Sequence, residues 1–376
     1  MGKIGIFGGT FDPVHNEHIA LARAAIAELR LDSLLVIPAY SAPHKIGRKE
    51  TAAEYRYQMT KLAFRGVPRC TVSDLELQRE STSYSYQTVE RIKRMFPTEE
   101  LFLIVGGDML KDFKTWRYPE RILAAATPVA ASRKGDDADF EEEARYFRER
   151  FGKDFLKLSY EGKNVSATKV RTYLEFGLSA DALVPEEVIA FAKSHALYRG
   201  DANVQKLRGA LKLARLTHTA NVVIEALRRA RSIGVAESKA YTACALHDCA
   251  KYLSAEEYPS FSPPNGVPSP VLHAFLGAYV AETEYGITDS EILDAIRYHT
   301  TGKPNMSALE KLVFVADLVE EGRDYPDAPY LRALYRDGDF EECFRTCLRY
   351  QYEYLLRQKK PVFRLTEEAI EYYKEN

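Results

Sequence analysis

The stretch Ala245-Leu246-His247-Asp248-Cys249-Ala250-Lys251 sets a histidine and an aspartate side by side inside an apolar helical pattern. Packing does not account for the pair, because a carboxylate moved into a helical core is costly unless it is paired or bound to a metal. Further ligand types stand on either side: His218, His273, His299 and Asp317 all lie in helix-like context. Four of the chain's eight histidines belong to this set. Histidines and aspartates without cysteine suit a first-row divalent ion such as Fe, Mn, Co or Zn, with Fe the favoured one. Six ligands exceed one closed tetrahedral zinc. Two ions about 3.5–4 Å apart would use them all, lower the pKa of a shared water toward about 7 and clamp a phosphate. The set reads as a phosphohydrolase site.

Around this stretch strand patterns are almost absent. Helices are expected over 204–216, delivering His218, and over 221–232, 237–250, 271–278, 291–298 and 308–319, interrupted by the Pro- and Gly-rich loop Ser262 to Pro268. From Tyr330 onward amphipathic helices carry no ligand cluster, and packing or the contact of a homo-oligomer is their expected role. A short polar break, Tyr198 to Asn203, separates this all-α half from what precedes it, so two domains are expected, 1–200 and 204–376, in keeping with 376 residues. A net charge of −2 argues against a dedicated nucleic-acid binder. No apolar run approaches the roughly 20 residues of a membrane span, and the N-terminus opens into a strand pattern rather than a signal peptide, so a cytoplasmic protein without a membrane partner is expected. The five cysteines form no CxxC pair, which suggests neither a disulfide framework nor a zinc ribbon.

The first half alternates strands and helices. Lys3 to Gly9 reads as a buried strand running into a glycine turn, followed by a helix from about Asn16 to Arg30. Such a turn points backbone N–H groups and the helix dipole at a bound anion. His15 and His18, three residues apart, share a face of the first helical turn. Leu101 to Val105 is the unbroken apolar run of a central parallel strand. Asp108 and the Trp116 loop follow it, at the strand ends where open α/β sheets bind ligands. Trp116 could stack on a ligand or sit in the core. Asn164 to Arg171 enters another helix with hydroxyl and cationic groups at its start, a second phosphate-binding signature.

Gly8-Gly9-Thr10-Phe11-Asp12-Pro13-Val14-His15 with His18, the Pro43-His44-Lys45 loop, Gly107-Asp108 with Trp116, and Ser166 to Arg171 resemble the ordered motifs of the nicotinate mononucleotide adenylyltransferase family. The resemblance covers about residues 1–200 and implies a Rossmann-like α/β nucleotidyltransferase fold. It implies that ATP lies across the first turn, at Gly8, Gly9, Thr10 and Phe11. His15 and His18 would be the catalytic pair and hold the triphosphate with Lys45, Ser166, Thr168 and Arg171, assisted by Mg²⁺. Nicotinate mononucleotide would be held by Ser83, Tyr84, Ser85, Asp108 and Trp116. Three positions depart from the family pattern: Glu17 at the glycine of His-x-Gly-His, Ala167 for a hydroxyl residue, and Gln87 for an aspartate. Glu17 is expected to bring a negative charge beside an anion pocket, the wrong sign for it.

The order His218, His247-Asp248, Asp317 resembles the HD superfamily of metal-dependent phosphohydrolases. Leu272-His273 with Gly277-Ala278, His299-Thr300 with Gly302, and Ala316-Asp317 with Gly322-Arg323 are similar to the subfamily that cleaves diadenosine tetraphosphate symmetrically into two ADP. That resemblance implies one ion on His218, His247, Asp248 and Asp317, a second site completed by His273 and His299, a catalytic part for Asp248, and polyphosphate contacts for Lys251 and Arg323. A nucleotide-binding first half without turnover, paired with an HD domain acting on another nucleotide phosphoester, is the rival reading.

Overall fold

The computed structural model describes residues 2–41, 50–79, 81–133 and 140–375. Lys45, with Pro43 and His44, lies outside them. The chain divides into two compact units, 1–171 with 179–198, and 172–178 with 199–376.

The first unit is an α/β sheet structure. Its elements are β1 (Lys3–Gly9), α1 (Asn16–Leu29), β2 (Ser33–Pro38), α2 (Ala53–Ala63), β3 (Cys70–Val72), α3 (Ser85–Met95), β4 (Glu100–Gly106), α4 (Gly107–Lys111), α5 (Pro119–Ala125), β5 (Thr127–Arg133), α6 (Phe140–Phe151), β6 (Leu156–Gly162), the first part of α7 (Ala167–Glu175), and α8 (Glu186–Ser194). The six strands are parallel in the order β3-β2-β1-β4-β5-β6. Leu101, Phe102, Leu103, Ile104 and Val105 of β4 are all buried, as a strand covered on both faces requires. In register, Ile4 faces Leu101 and Ile6 faces Leu103 across β1 and β4. Strand order reverses between those two strands, and the crevice beyond their carboxyl ends is where such sheets take ligands.

The second unit is helical: α9 (Ala202–Ala210), α10 (Leu213–Arg229), α11 (Glu237–Leu246), α12 (Ser269–Tyr285), α13 (Ser290–Tyr298), α14 (Ala308–Val319), α15 (Ala328–Asp337), α16 (Phe340–Arg357) and α17 (Arg364–Glu375). Helix α14 is its axis. Ser307 caps it, accepting from Glu310 N–H, and the Glu310 carboxylate returns the bond to Ser307 N–H. Leu309, Leu312, Val313, Phe314, Val315, Ala316 and Val319 are buried around nearly its whole circumference, against α10, α11, α13, α15 and α16.

Two local expectations change. The chain leaves the helix at Leu211, which takes an extended conformation and keeps its side chain buried. His218 therefore lies within α10 rather than after a helix. Helix α11 ends at Leu246, and His247-Asp248 occupy the tight turn beyond it, where Cys249 N–H bonds to Leu246 O at 3.0 Å and Lys251 N–H to Asp248 O at 2.9 Å. Adjacent side chains on a continuous helix would diverge by about 100°. Both nevertheless reach one site, with His247 Nε2 3.4 Å from Asp248 Oδ2.

Candidate metal centre and nucleotide site

The helical unit brings its six ligand candidates together. His218 comes from α10, His247 and Asp248 from the turn after α11, His273 from α12, His299 from the turn after α13, and Asp317 from α14. His218, His247 and Asp248 form one cluster able to hold an ion, and Asp248, His273 and His299 form another. Asp248 is shared between them.

The imidazoles are oriented by their far nitrogens. His247 Nδ1 donates to Cys244 O at 2.6 Å, His273 Nδ1 to Pro270 O at 3.0 Å, and His299 Nδ1 to Ile296 O at 2.7 Å. A carbonyl only accepts, so each Nδ1 carries a proton and each ring turns its Nε2 toward the cluster. His218 uses a carboxylate instead, with Nδ1 3.0 Å from Glu320 Oε1. The Nε2 atoms converge: His218 and His247 are 3.4 Å apart. His247 lies 3.4 Å from Asp248 Oδ2, His273 3.1 Å and His299 3.8 Å from Asp248 Oδ1, and His218 2.9 Å from Asp317 Oδ1.

Electrostatics follow from that crowding. Burial and the neighbouring His247 push His299 down to about 3, so it is a neutral donor. Burial alone would raise Asp248, yet the surrounding His247, His273 and His299 hold it well below the usual carboxylate range. Asp317 is also held low against its burial, by Arg323 and His218. Asp248 Oδ1 is buried, and Lys251 Nζ at 3.4 Å and His273 Nε2 at 3.1 Å face it without replacing the solvation it has lost. Converging imidazole Nε2 atoms and two buried carboxylates held ionised, one of them shared, fit a pair of divalent ions.

Three cations border the cluster. Lys251 Nζ is 2.9 Å from His273 Nε2 and 3.4 Å from Asp248 Oδ1, and Arg323 Nη2 donates to Asp317 Oδ1 at 2.5 Å. Arg215, which the sequence reading missed, donates to Asp248 Oδ2 at 2.8 Å. It stands one helical turn before His218, a spacing that could have flagged it.

In the first unit the donors gather at the carboxyl end of β1. Gly8 and Gly9 end the strand, Ala39 N–H donates to Gly9 O at 2.9 Å, and Thr10 and Phe11 lead to His15, the N-cap of α1. His15 N–H donates to His18 Nδ1 at 3.1 Å and the two rings stack with centroids 3.6 Å apart. With Nδ1 accepting, the neutral His18 ring carries its proton on Nε2, which is therefore a donor. Ser166 caps α7, its Oγ accepting from Lys169 N–H at 3.1 Å. Arg171 donates to Asp12 O at 2.6 Å and to Thr168 Oγ1 at 3.2 Å, which ties the second phosphate signature to the first turn.

Ser83 also lies at the strand ends, accepting from Tyr40 N–H at 3.0 Å, while Tyr84 caps α3 and Ser85 opens it. Gln87 accepts from Arg79 at 2.5 Å. Trp116 is half-buried, one ring 5.1 Å from Phe113. Asp108 lies in the first turn of α4, directly after β4, and its side chain is outside the described set. Two further residues of this site escaped the sequence reading. Asp12 accepts from Tyr198 OH at 2.6 Å and Thr51 N–H at 3.3 Å. The buried Arg56 donates to Thr10 O, Ala39 O, Tyr40 O and Thr51 O.

Glu17 does not behave as its charge suggested. Its Oε2 accepts from Tyr160 OH at 2.6 Å and from Lys163 N–H at 2.7 Å, so the carboxylate is engaged at the end of β6.

Comparison with known proteins finds a separate match for each half of the chain. The cytidylyltransferase-like family profile matches residues 6–173 and the HD domain profile matches residues 215–322. A probable nicotinate-nucleotide adenylyltransferase of Clostridium tetani is 34% identical over 202 residues, 53% of this chain and 100% of that protein. Another, from Thermus thermophilus, is 39% identical over 197 residues, 52% of this chain and 100% of its own. Among solved structures, a predicted HD superfamily hydrolase involved in NAD metabolism from Clostridium acetobutylicum is 27% identical, covering 45% of this chain and 93% of that chain with a TM-score of 0.41. With the donors of the first unit set around Gly8 to His18 and the six ligand candidates of the second around Asp248, the chain belongs through its first half to the nicotinate-nucleotide adenylyltransferase family and carries an HD domain in its second.

Proposed function

We propose that the chain is a bifunctional enzyme of adenine nucleotide chemistry. The first unit transfers the adenylyl group of ATP to nicotinate mononucleotide: a mononucleotide phosphate oxygen bonds to the α-phosphorus as the bond to the β-phosphate breaks, giving deamido-NAD and pyrophosphate. The second hydrolyses diadenosine tetraphosphate with one water to two ADP. The observation that carries the reading is that each compact unit holds its own donor set, cationic and N–H donors in one and a shared-aspartate ligand cluster in the other.

In the transferase site no covalent enzyme intermediate is needed, so the residues act by positioning and charge. His18 Nε2–H, the α1 and α7 N-termini, the Ser166 and Thr168 hydroxyls and Arg171 would donate to triphosphate oxygens as charge moves toward the leaving pyrophosphate. Bound Mg²⁺ supplies further neutralisation there. In the HD site His218, His247, Asp248 and Asp317 would hold one ion and Asp248, His273 and His299 the other; a bound pair supplies an activated water and positive charge on the phosphate. We take Fe as the metal, and Mn, Co and Zn could use the same donors. Lys251, Arg323 and Arg215 orient the carboxylates and lie where a polyphosphate needs cations.

The test is pyrophosphate release from ATP with nicotinate mononucleotide, run on Asp248→Ala protein so that hydrolysis cannot consume nucleotide. Turnover is expected there, and a folded, ATP-binding protein that makes no pyrophosphate would leave the first unit a binding module. Wild-type protein given diadenosine tetraphosphate, AMP and dNMPs is expected to yield ADP as sole product from the first. Preference for a monophosphate would move the HD site to another substrate class. Asp248→Ala is expected to lose hydrolysis by at least about 10²-fold, since it removes the shared ligand.

A further inference from the structure

Helix α7 serves both units: Arg171 belongs with the sheet, whereas Thr172 to Leu178 belong with the helices. This short segment is built into the helical unit. Phe176 is fully buried and Leu178 nearly so in its apolar core, and Glu175 accepts from Tyr241 OH at 2.9 Å. The HD profile begins only at residue 215, while the cytidylyltransferase-like profile runs through Tyr173.

From Tyr173 a chain of hydrogen bonds leads to the ligand cluster. Tyr173 OH donates to Asn221 Oδ1 at 3.1 Å, and Asn221 Nδ2 donates to Glu320 Oε2 at 3.0 Å. The other oxygen of Glu320 takes His218 Nδ1–H at 3.0 Å, and His218 Nε2 faces Asp317 at 2.9 Å and His247 at 3.4 Å. Asn221 and Glu320 are 7% and 2% exposed, so water has little access to repair the chain. Its sense is determined: a tyrosine hydroxyl donating to the amide oxygen leaves the NH₂ for Glu320, while a flipped amide would set its oxygen against a carboxylate.

We propose that Tyr173 is a positioning residue of the metal centre, acting through Asn221 and Glu320 on His218, so that the functional hydrolase domain begins at Thr172, inside the transferase-like stretch. Outer partners of metal-bound histidines fix ring orientation and raise ligand basicity. The inference rests on the reading of His218 as a metal ligand.

Full-length protein is titrated with Mn²⁺, and the free ion is followed by its paramagnetic resonance signal. Tyr173→Phe keeps the ring and removes the donor; its Kd for Mn²⁺ is expected to rise about tenfold, the low end for an outer-shell loss, with little change in the Tm of metal-free protein. An unchanged Kd overturns the proposal. Absence of Mn²⁺ binding by wild-type protein would instead overturn the metal reading beneath it. A double-mutant cycle with Asn221→Ala decides the matter even if Tyr173→Phe loses stability: in the Asn221→Ala background the tyrosine substitution is expected to change Kd no further, and additive effects overturn the relay.

Discussion

At the scale of single residues, Glu17 shows how a side chain's partners override its formal charge. One of its oxygens takes both the Tyr160 hydroxyl and the Lys163 N–H, and Lys163 lies in the loop that delivers Ser166, Thr168 and Arg171. The family's glycine at this position could make neither bond. Glu17→Gly is therefore expected to raise the KM for ATP about fivefold, equivalent to about 1 kcal/mol, with Glu17→Gln near wild type because an amide oxygen accepts from the same donors. Steady-state kinetics of the three proteins check this. Faster turnover in the glycine variant would mean that the carboxylate hinders the triphosphate after all.

At the scale of elements, the proposed nucleotide site depends on holding the ends of β1 and β2 and the segment before α2 in register. Arg56, 1% exposed, does this from α2, donating to Thr10 O and Ala39 O at 2.7 Å, to Tyr40 O at 2.7 Å and to Thr51 O at 2.8 Å. Burial lowers its pKa, while Asp12 and Glu50 help to keep it charged. A planar fork serves four carbonyls that a lysine point charge cannot reach together. Arg56→Lys is expected to destabilise the first unit by about 3 kcal/mol, visible as a lower urea midpoint, and to weaken ATP binding with it. An unchanged midpoint would mean that the four carbonyls find other donors. Nothing in the local pattern of α2 announces this role, because an arginine one turn into an amphipathic helix reads as a solvated face.

At the scale of the whole molecule, the two compact units do not divide at the polar break after Tyr198 alone. Phe176 and Leu178 lie in the helical core together with Val204 and Leu207. A fragment 199–376 is expected to be less stable than 172–376 by several kcal/mol, since losing a buried Phe side chain alone costs about 3–5 kcal/mol. Thermal melts of the two fragments in the absence of metal check this, and equal Tm values would place the boundary at the break.

The sequence by itself determined the class of each half. A continuous apolar strand, a glycine turn and two histidines at helical spacing are local patterns, and the parallel sheet followed from them. The six metal-ligand candidates were legible because histidine and aspartate in apolar helical context have few bland explanations. Which of them share an oxygen, which nitrogen each imidazole presents, and that Asp248 stands between the two clusters are outcomes of packing α10 to α14 together. The same holds for Arg56, Tyr198, Glu320 and Tyr173: their partners are distant along the chain, and a hydrogen bond between distant residues leaves no periodicity to read. Only the tertiary structure could show that Glu17 is engaged at β6 and that Thr172 to Leu178 belong with the helices, because both depend on which surfaces meet once the chain has folded.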